Sequence, residues 1–180
     1  YSQKLIEHGK NVLKIAREVF TKTKISGKIA GIHWQYSHHM RCAEATAGYY
    51  NTCYHNGYSK IADMFKENKV DLCFTCLEMT EKNNEAFSPE SLVYDVLREA
   101  QKHGLEFEGE NALECYDWNS YNQILKWKSR GLTTFTFLRM TEKLMDNKKK
   151  WLDFRIFTNK MHYYQDNEKD EKVSNTQIFQ

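Results

Sequence analysis

The sequence predicts an α/β fold built on a parallel sheet, and two observations carry that prediction. Helical and strand patterns alternate along the chain, one helix followed by four strand–helix pairs, and crossover connections between parallel strands are the economical solution for that order. Each strand segment also ends in polar residues, as in parallel folds whose working groups gather at the C-terminal strand ends. With 180 residues, 41% of them hydrophobic, the chain is large enough for one domain with a core.

The elements follow in order. Residues 2–20 place Leu5, Val12, Leu13, Ala16 and Phe20 at helical spacing. "KISGKIAGIHW" then reads as a strand over Lys28–Trp34, followed by a long loop from Gln35 to about Tyr58. "SKIADMFKEN" is a short helix with Ile61, Met64 and Phe65 on one face, and "VDLCFTCLEM" is the second strand. In "SPESLVYDVLREAQKHG", Ser88 is a cap, Pro89 suits the first helical position and Gly104 ends the helix. Its buried stripe is Leu92, Val93, Val96, Leu97 and Ala100. "LEFEGEN" is the third strand. Asp117 caps "WNSYNQILKWKSR", which stops at Gly131, and "LTTFTFLRM" is the fourth strand. Thr141 opens a final helical region whose core face is Trp151, Phe154, Phe157 and Met161. From Tyr163 the chain is polar and is expected to fray or run over the surface.

Composition excludes several classes. Lys+Arg (26) and Asp+Glu (24) nearly cancel, which argues against a nucleic acid or an anionic membrane as partner. No apolar run approaches the ~20 residues that cross a bilayer. No signal peptide opens the chain, and Tyr1 in place of Met points to a piece of something longer or a processed product. The five cysteines, an odd number, do not look like a disulfide framework. Reduced thiols favour a reducing compartment, cytoplasm or plastid. Cys73 and Cys76 form a CxxC, but residues three apart on a strand face opposite sides and cannot easily hold one metal. His38 and His39 are read as loop polarity, and Lys148–Lys150 as a solvated helix turn. No cofactor is expected.

The strand ends collect a polar set. Glu110 and Asn111 close the third strand; His33, Trp34, Thr75, Glu78, Arg139 and Met140 occupy the same rim on the others. A carboxylate there can act as a general base, ligate a metal, or pair with Lys28 or Arg139. A catalytic metal would need more His or carboxylate ligands than this rim offers. Hydroxyl-binding donors beside an aromatic platform suit a sugar. Trp34 serves either as that platform or as packing, His33 as a donor or a satisfied rim histidine, and Arg139 as a ligand contact or a partner to a buried carboxylate.

"SGKIAGIHW", "AEATAGYYN", "NGYSKIADM", "FTCLEM", "GENAL..YD" and "FTFLRM" resemble, in order and almost to His162, the β-amylases, the inverting family that trims maltose from starch chain ends. "FTCLEM" and "GENAL" are the specific motifs. The resemblance implies a (β/α)8 barrel, of which this chain holds the C-terminal half, strands five to eight with their helices, in residues 1–162, with 163–180 as a polar tail. By the same resemblance Glu110 is similar to the general base, and Lys28, His33, Thr75, Asn111, Ala112 and Arg139 to the substrate-binding residues. Thr75 is placed on an inner loop that shifts when sugar binds. Glu78 is expected to support the site, not to replace the acid.

The family's general acid lies in the first half of the barrel, a segment this chain does not contain. A closed barrel needs eight strands and roughly 250 residues. The expected partners are therefore an α-1,4-glucan or maltose and the missing N-terminal half. Gln35 stands where many plant members have another aromatic, and the tail is shorter and more charged than theirs. The alternatives are an inert truncated fragment that binds glucan or a protein partner, and two copies paired as half-barrels.

Overall fold

A computed structural model describes residues 1–34, 42–52, 54–81 and 87–174. Four strands, β1 (Ile25–Lys28), β2 (Val70–Phe74), β3 (Phe107–Glu110) and β4 (Leu132–Thr136), form one sheet in the order β1-β2-β3-β4. All three pairings are parallel, as expected. Seven helices are described: α1 (Ser2–Val19), α2 (Cys42–Ala47), α3 (Gly57–Glu67), α4 (Pro89–His103), α5 (Trp118–Lys128), α6 (Glu142–Met145) and α7 (Lys148–Ser174).

The core lies on one face of the sheet. Leu72, Phe74, Phe107 and Leu132 meet Ile61, Phe65, Leu92, Val96, Ile124 and Trp127 from α3, α4 and α5, and all are buried. The predicted stripes of α3 and α4 are buried residue for residue. On the opposite face Ser26, Lys28, Thr134 and Thr136 are exposed. A register shift at Phe107/Glu108 leaves Thr133 unpaired in the ladder, and its hydroxyl donates to Phe107 O at 3.1 Å.

The caps explain where helices start and stop. Asp117 Oδ1 accepts from Ser120 N at 3.0 Å, and Gly104 closes α4 with φ 71°, the left-handed conformation glycine adopts without a Cβ penalty. Ser88 and Thr141 occupy their cap positions without a side-chain cap hydrogen bond. Asn56, which sequence reading left inside the long loop, caps α3 by accepting from Tyr58 N and Ser59 N, both at 3.0 Å. That loop also contains α2.

Four expectations change. The first strand is Ile25–Lys28, not Lys28–Trp34. The apolar run Ile29–Ile32 was read as strand, but β2 ends at Phe74 and leaves it no parallel partner beyond the bond from Ile29 N to Cys73 O at 3.2 Å. In α1 the half-buried residues are Ser2, Ile6, Gly9, Leu13, Ala16 and Arg17, while Leu5, Val12, Ile15, Val19 and Phe20 are exposed. The helix thus has a second apolar stripe at heptad-like spacing that is largely exposed, with Leu5 resting against Gly48 at one end. Trp151 is exposed as well and meets Phe154 of the core with ring centroids 5.7 Å apart. Lastly, α7 continues through Tyr163 to Ser174, so the expected fraying tail is helical that far.

Candidate active site

Glu110 is the last residue of β3 and is 6% exposed. It projects from the sheet face opposite the one that packs on α3, α4 and α5. Lys28, the last residue of β1, lies on the same face, and its ammonium reaches past Cys73 of β2 to form a close ion pair with Glu110 Oε2. That oxygen is buried, and Lys28 is its partner. A buried carboxylate needs a counter-charge, and here the partner comes from two strands away. The hydrogen bond to Glu110 raises the Lys28 pKa above its ordinary value, so Lys28 is an ammonium throughout the neutral range.

The turn after Glu110 is held from two sides. Asn111 is fully buried. Its Nδ2 donates to Leu113 O at 2.7 Å and Leu138 O at 3.1 Å, and its Oδ1 accepts from Leu138 N at 2.7 Å, which ties the end of β3 to the segment after β4. From the other side Glu78, 6% exposed, accepts at Oε1 from Ala112 N (2.9 Å) and Leu113 N (2.7 Å), and at Oε2 from Ala112 N (3.0 Å). Burial pushes the Glu78 pKa up, partly offset by these amides and by the Arg139 charge. Arg139 itself is exposed, and its carbonyl accepts a short hydrogen bond from the Tyr116 hydroxyl.

Two non-glycine residues at this rim have left-handed backbones, Cys76 (φ 58°) and Arg139 (φ 61°). Such conformations cost free energy and concentrate where a chain must aim side chains at a site. Cys76 turns the chain sharply at the end of β2, which sets Thr75 at the strand end and sends Leu77 and Glu78 toward β3. Leu77 N donates to Glu110 O at 3.3 Å, and Leu77 O accepts from the buried Trp127 indole at 3.1 Å. At Gly109 a Cβ would stand 2.1 Å from Leu77 Cδ2, so only glycine lets Leu77 seat there.

Of the residues expected from the sequence, the structure therefore brings together Lys28, Glu110, Asn111, Ala112 and Glu78, with Arg139 close enough to act on Glu78. Thr75 sits at the end of β2, beside Gly31. His33 and Trp34 form a second group beyond the end of β1. His33 packs edge-on against Trp34 and Phe87, with ring centroids at 5.2 and 4.6 Å, and its carbonyl accepts from Ser88 N at 2.9 Å. Its buried Nδ1 has no partner among the described residues, and burial lowers its pKa. Trp34 is 47% exposed, so one ring surface is open to solvent. Gln35, His38 and His39 lie outside the described residues. Tyr116 and Leu113 were missed by sequence reading because their contributions are a phenol on a carbonyl and a backbone N–H, neither of which leaves a pattern.

Cys73, Cys76 and Cys115 are buried free thiols; burial pushes Cys73 up to about 11 and Cys115 to about 12. The side chains of Cys42 and Cys53 lie outside the described residues. At the opposite end of the strands Asp71, Glu106 and Glu108 bring their carboxylates together, and Lys24 Nζ lies 3.5, 2.7 and 3.3 Å from them.

The chain is 43% identical to β-amylase 5 of Arabidopsis thaliana, with 92% of this chain and 36% of that protein covered. It is 38% identical to the β-amylase of Zea mays, with 90% and 36% covered. In structure it resembles the catalytic domain of the β-amylase from Paenibacillus polymyxa, with TM-score 0.69 at 30% identity, over 80% of this chain and 35% of that one. The chain thus spans about a third of the length of these relatives. The model of glycosyl hydrolase family 14 matches residues 1–166, and the chain belongs to that family.

Proposed function

We propose that this chain supplies the general-base half of a β-amylase-type site, which hydrolyses α-1,4-glucan from the non-reducing end and releases maltose with inversion. The observation that carries this reading is Glu110: a buried carboxylate at the tip of a central strand, oriented by a turn fixed on both sides and facing one ammonium. In an inverting reaction such a carboxylate takes a proton from the water that attacks the anomeric carbon. A second carboxyl group, roughly 6.5–9.5 Å away, protonates the departing oxygen. Lys28 holds Glu110 in place, Asn111 and Ala112 set its direction, and Thr75, His33, Trp34 and Arg139 face the sugar. Trp34 offers its exposed ring as a stacking surface.

The second carboxyl group comes from outside residues 1–180 in this reading. Glu78, the other buried rim carboxylate, already accepts from two backbone amides and is not placed to donate a proton. Several surfaces favour the missing N-terminal half of the catalytic domain as the source. Strands β1 and β4 are open edges, which folded proteins normally cover. The inner sheet face is exposed at β1 and β4, α1 has a largely exposed apolar stripe, and an aromatic groove of about 320 Å³ runs along the β4 edge, lined by Phe135, Phe137, Phe157 and Met161. Residues 1–162 are then the half-barrel, and 163–180 an appended tail.

The test is maltose release from amylose, with product configuration read by NMR. The chain is assayed alone, joined to the N-terminal half of a relative, and in both forms as Glu110→Gln. The joined form is expected to yield β-maltose and to lose at least ~10²-fold on substitution. No turnover from the joined form would overturn the hydrolase reading. Millimolar maltose binding in its absence would favour a glucan-binding fragment.

A further inference from the structure

We infer that Glu78 is a positioning residue for Glu110, an inference that rests on the hydrolase reading above. Its carboxylate locks the turn 111–113 onto the loop that follows β2, so that the strand tip carrying the base is held from that side. Three observations converge. Both Glu78 oxygens point at backbone donors of that turn, at 2.7–3.0 Å. The residue before it, Leu77, is bonded through its amide to Glu110 O and through its carbonyl to the Trp127 indole. And the Leu77 side chain fills the space that Gly109, the residue before Glu110, leaves empty. The loop and the strand tip are therefore joined by main chain, side chain and charge within a few residues.

Satisfying two amides does not require a buried charge. Leu113 is exposed and Ala112 half-buried, so water could reach both N–H groups at this rim. A carboxylate buried to 6% exposure is the costly way to do it, and it persists against desolvation, which raises its pKa. What a carboxylate adds over water is a fixed direction. It accepts only, it spans both peptide planes at once, and it faces the Arg139 charge. The orientation of the 111–113 peptides sets the direction in which Glu110 leaves β3. A displacement of about 1 Å at a reacting group can cost ~10²-fold in rate.

The experiment uses the joined, full-length form and three variants, Glu78→Gln, Glu78→Asp and Glu78→Ala. Maltose release gives kcat and KM, and amide hydrogen exchange gives the protection of Ala112 and Leu113. The alanine and aspartate variants are expected to lose ~10²-fold in kcat with KM within about threefold of wild type. Their Ala112 and Leu113 amides should exchange at least ~10-fold faster, while those of Leu72 and Phe107 keep wild-type protection. The glutamine variant, which keeps the length and one acceptor oxygen but loses the second acceptor and the charge facing Arg139, should recover only part of kcat. A kcat within twofold of wild type in Glu78→Ala, or a loss that tracks unfolding of β2 and β3, overturns the positioning role. Unchanged exchange at Ala112 and Leu113 overturns it independently of turnover. A wild-type form that protects these amides as expected yet releases no maltose overturns the hydrolase reading instead, so the two failures are distinguishable.

Discussion

Asn111 is the side chain whose removal should be felt most directly, because every bond it makes is to backbone. Replacing it by Ala deletes two donors and one acceptor at a fully buried position. Leu113 is exposed, so water can take over its carbonyl; Leu138 is half-buried, and its N–H and C=O lose partners that water replaces poorly. Two such groups at about 1–1.5 kcal/mol each, plus the small cavity left behind, give an expected cost of about 2–4 kcal/mol. That is a large share of the ~5–15 kcal/mol of a typical domain. Asn111→Asp separates the donors from the acceptor. It can still accept from Leu138 N, but it turns a carboxylate oxygen toward two carbonyls. Its folded pKa should therefore be raised, and its stability should recover as pH falls through that value and a proton restores one donor. Urea unfolding of the three proteins between pH 4 and 8, at constant slope, measures both effects. An alanine variant within about 1 kcal/mol of wild type, or an aspartate variant with no recovery in acid, would show that Asn111 does not hold the β3 and β4 ends together.

Other perturbations report on neighbouring features. Gly109→Ala drives a methyl group to 2.1 Å from Leu77 Cδ2 and 3.1 Å from Leu132 Cδ1; it should cost about 1–3 kcal/mol in thermal or urea unfolding, and a negligible loss would mean Leu77 swings clear. His33 is held neutral because burial lowers its pKa below the ordinary 6.5. Its contribution to stability is complete above about pH 6.5 and is lost as pH falls through the lowered folded value. His33→Gln should flatten the pH dependence of stability in that acid window, and an unchanged profile would place the titration elsewhere.

The helices were legible where an apolar stripe and a terminal signal coincided. In α4 the stripe, Pro89 and Gly104 all agree; in α5, Asp117 and Gly131 bracket a periodic segment. The first strand was misplaced because "GKIAGIHW" is apolar enough to look like a strand, whereas pairing is decided by where the neighbouring strand stops. In α1 the pattern was read correctly as helical, but two opposed stripes cannot be ranked without knowing which neighbour is present. In the site, Glu110 was placed by its position at a strand end and by resemblance, whereas Lys28, read as the start of its strand, was placed by resemblance. The roles of Leu77, Leu113 and Tyr116 depend on main-chain bonds across 23 to 50 positions of sequence, which local patterns do not encode. Nor does a sequence show which carboxylate is already engaged, and that is what separates Glu78 from Glu110.

The double stripe of α1 makes that helix a gauge of its surroundings. Within this chain its eighteen residues rest on α3 along one side and contribute no buried residue. An adjoining layer on the other side would turn Val12, Ile15 and Val19 from wetted flank into interior. The same segment can thus be the most weakly anchored part of the molecule in one state and a shared wall in another, and its local opening rate tells which state prevails.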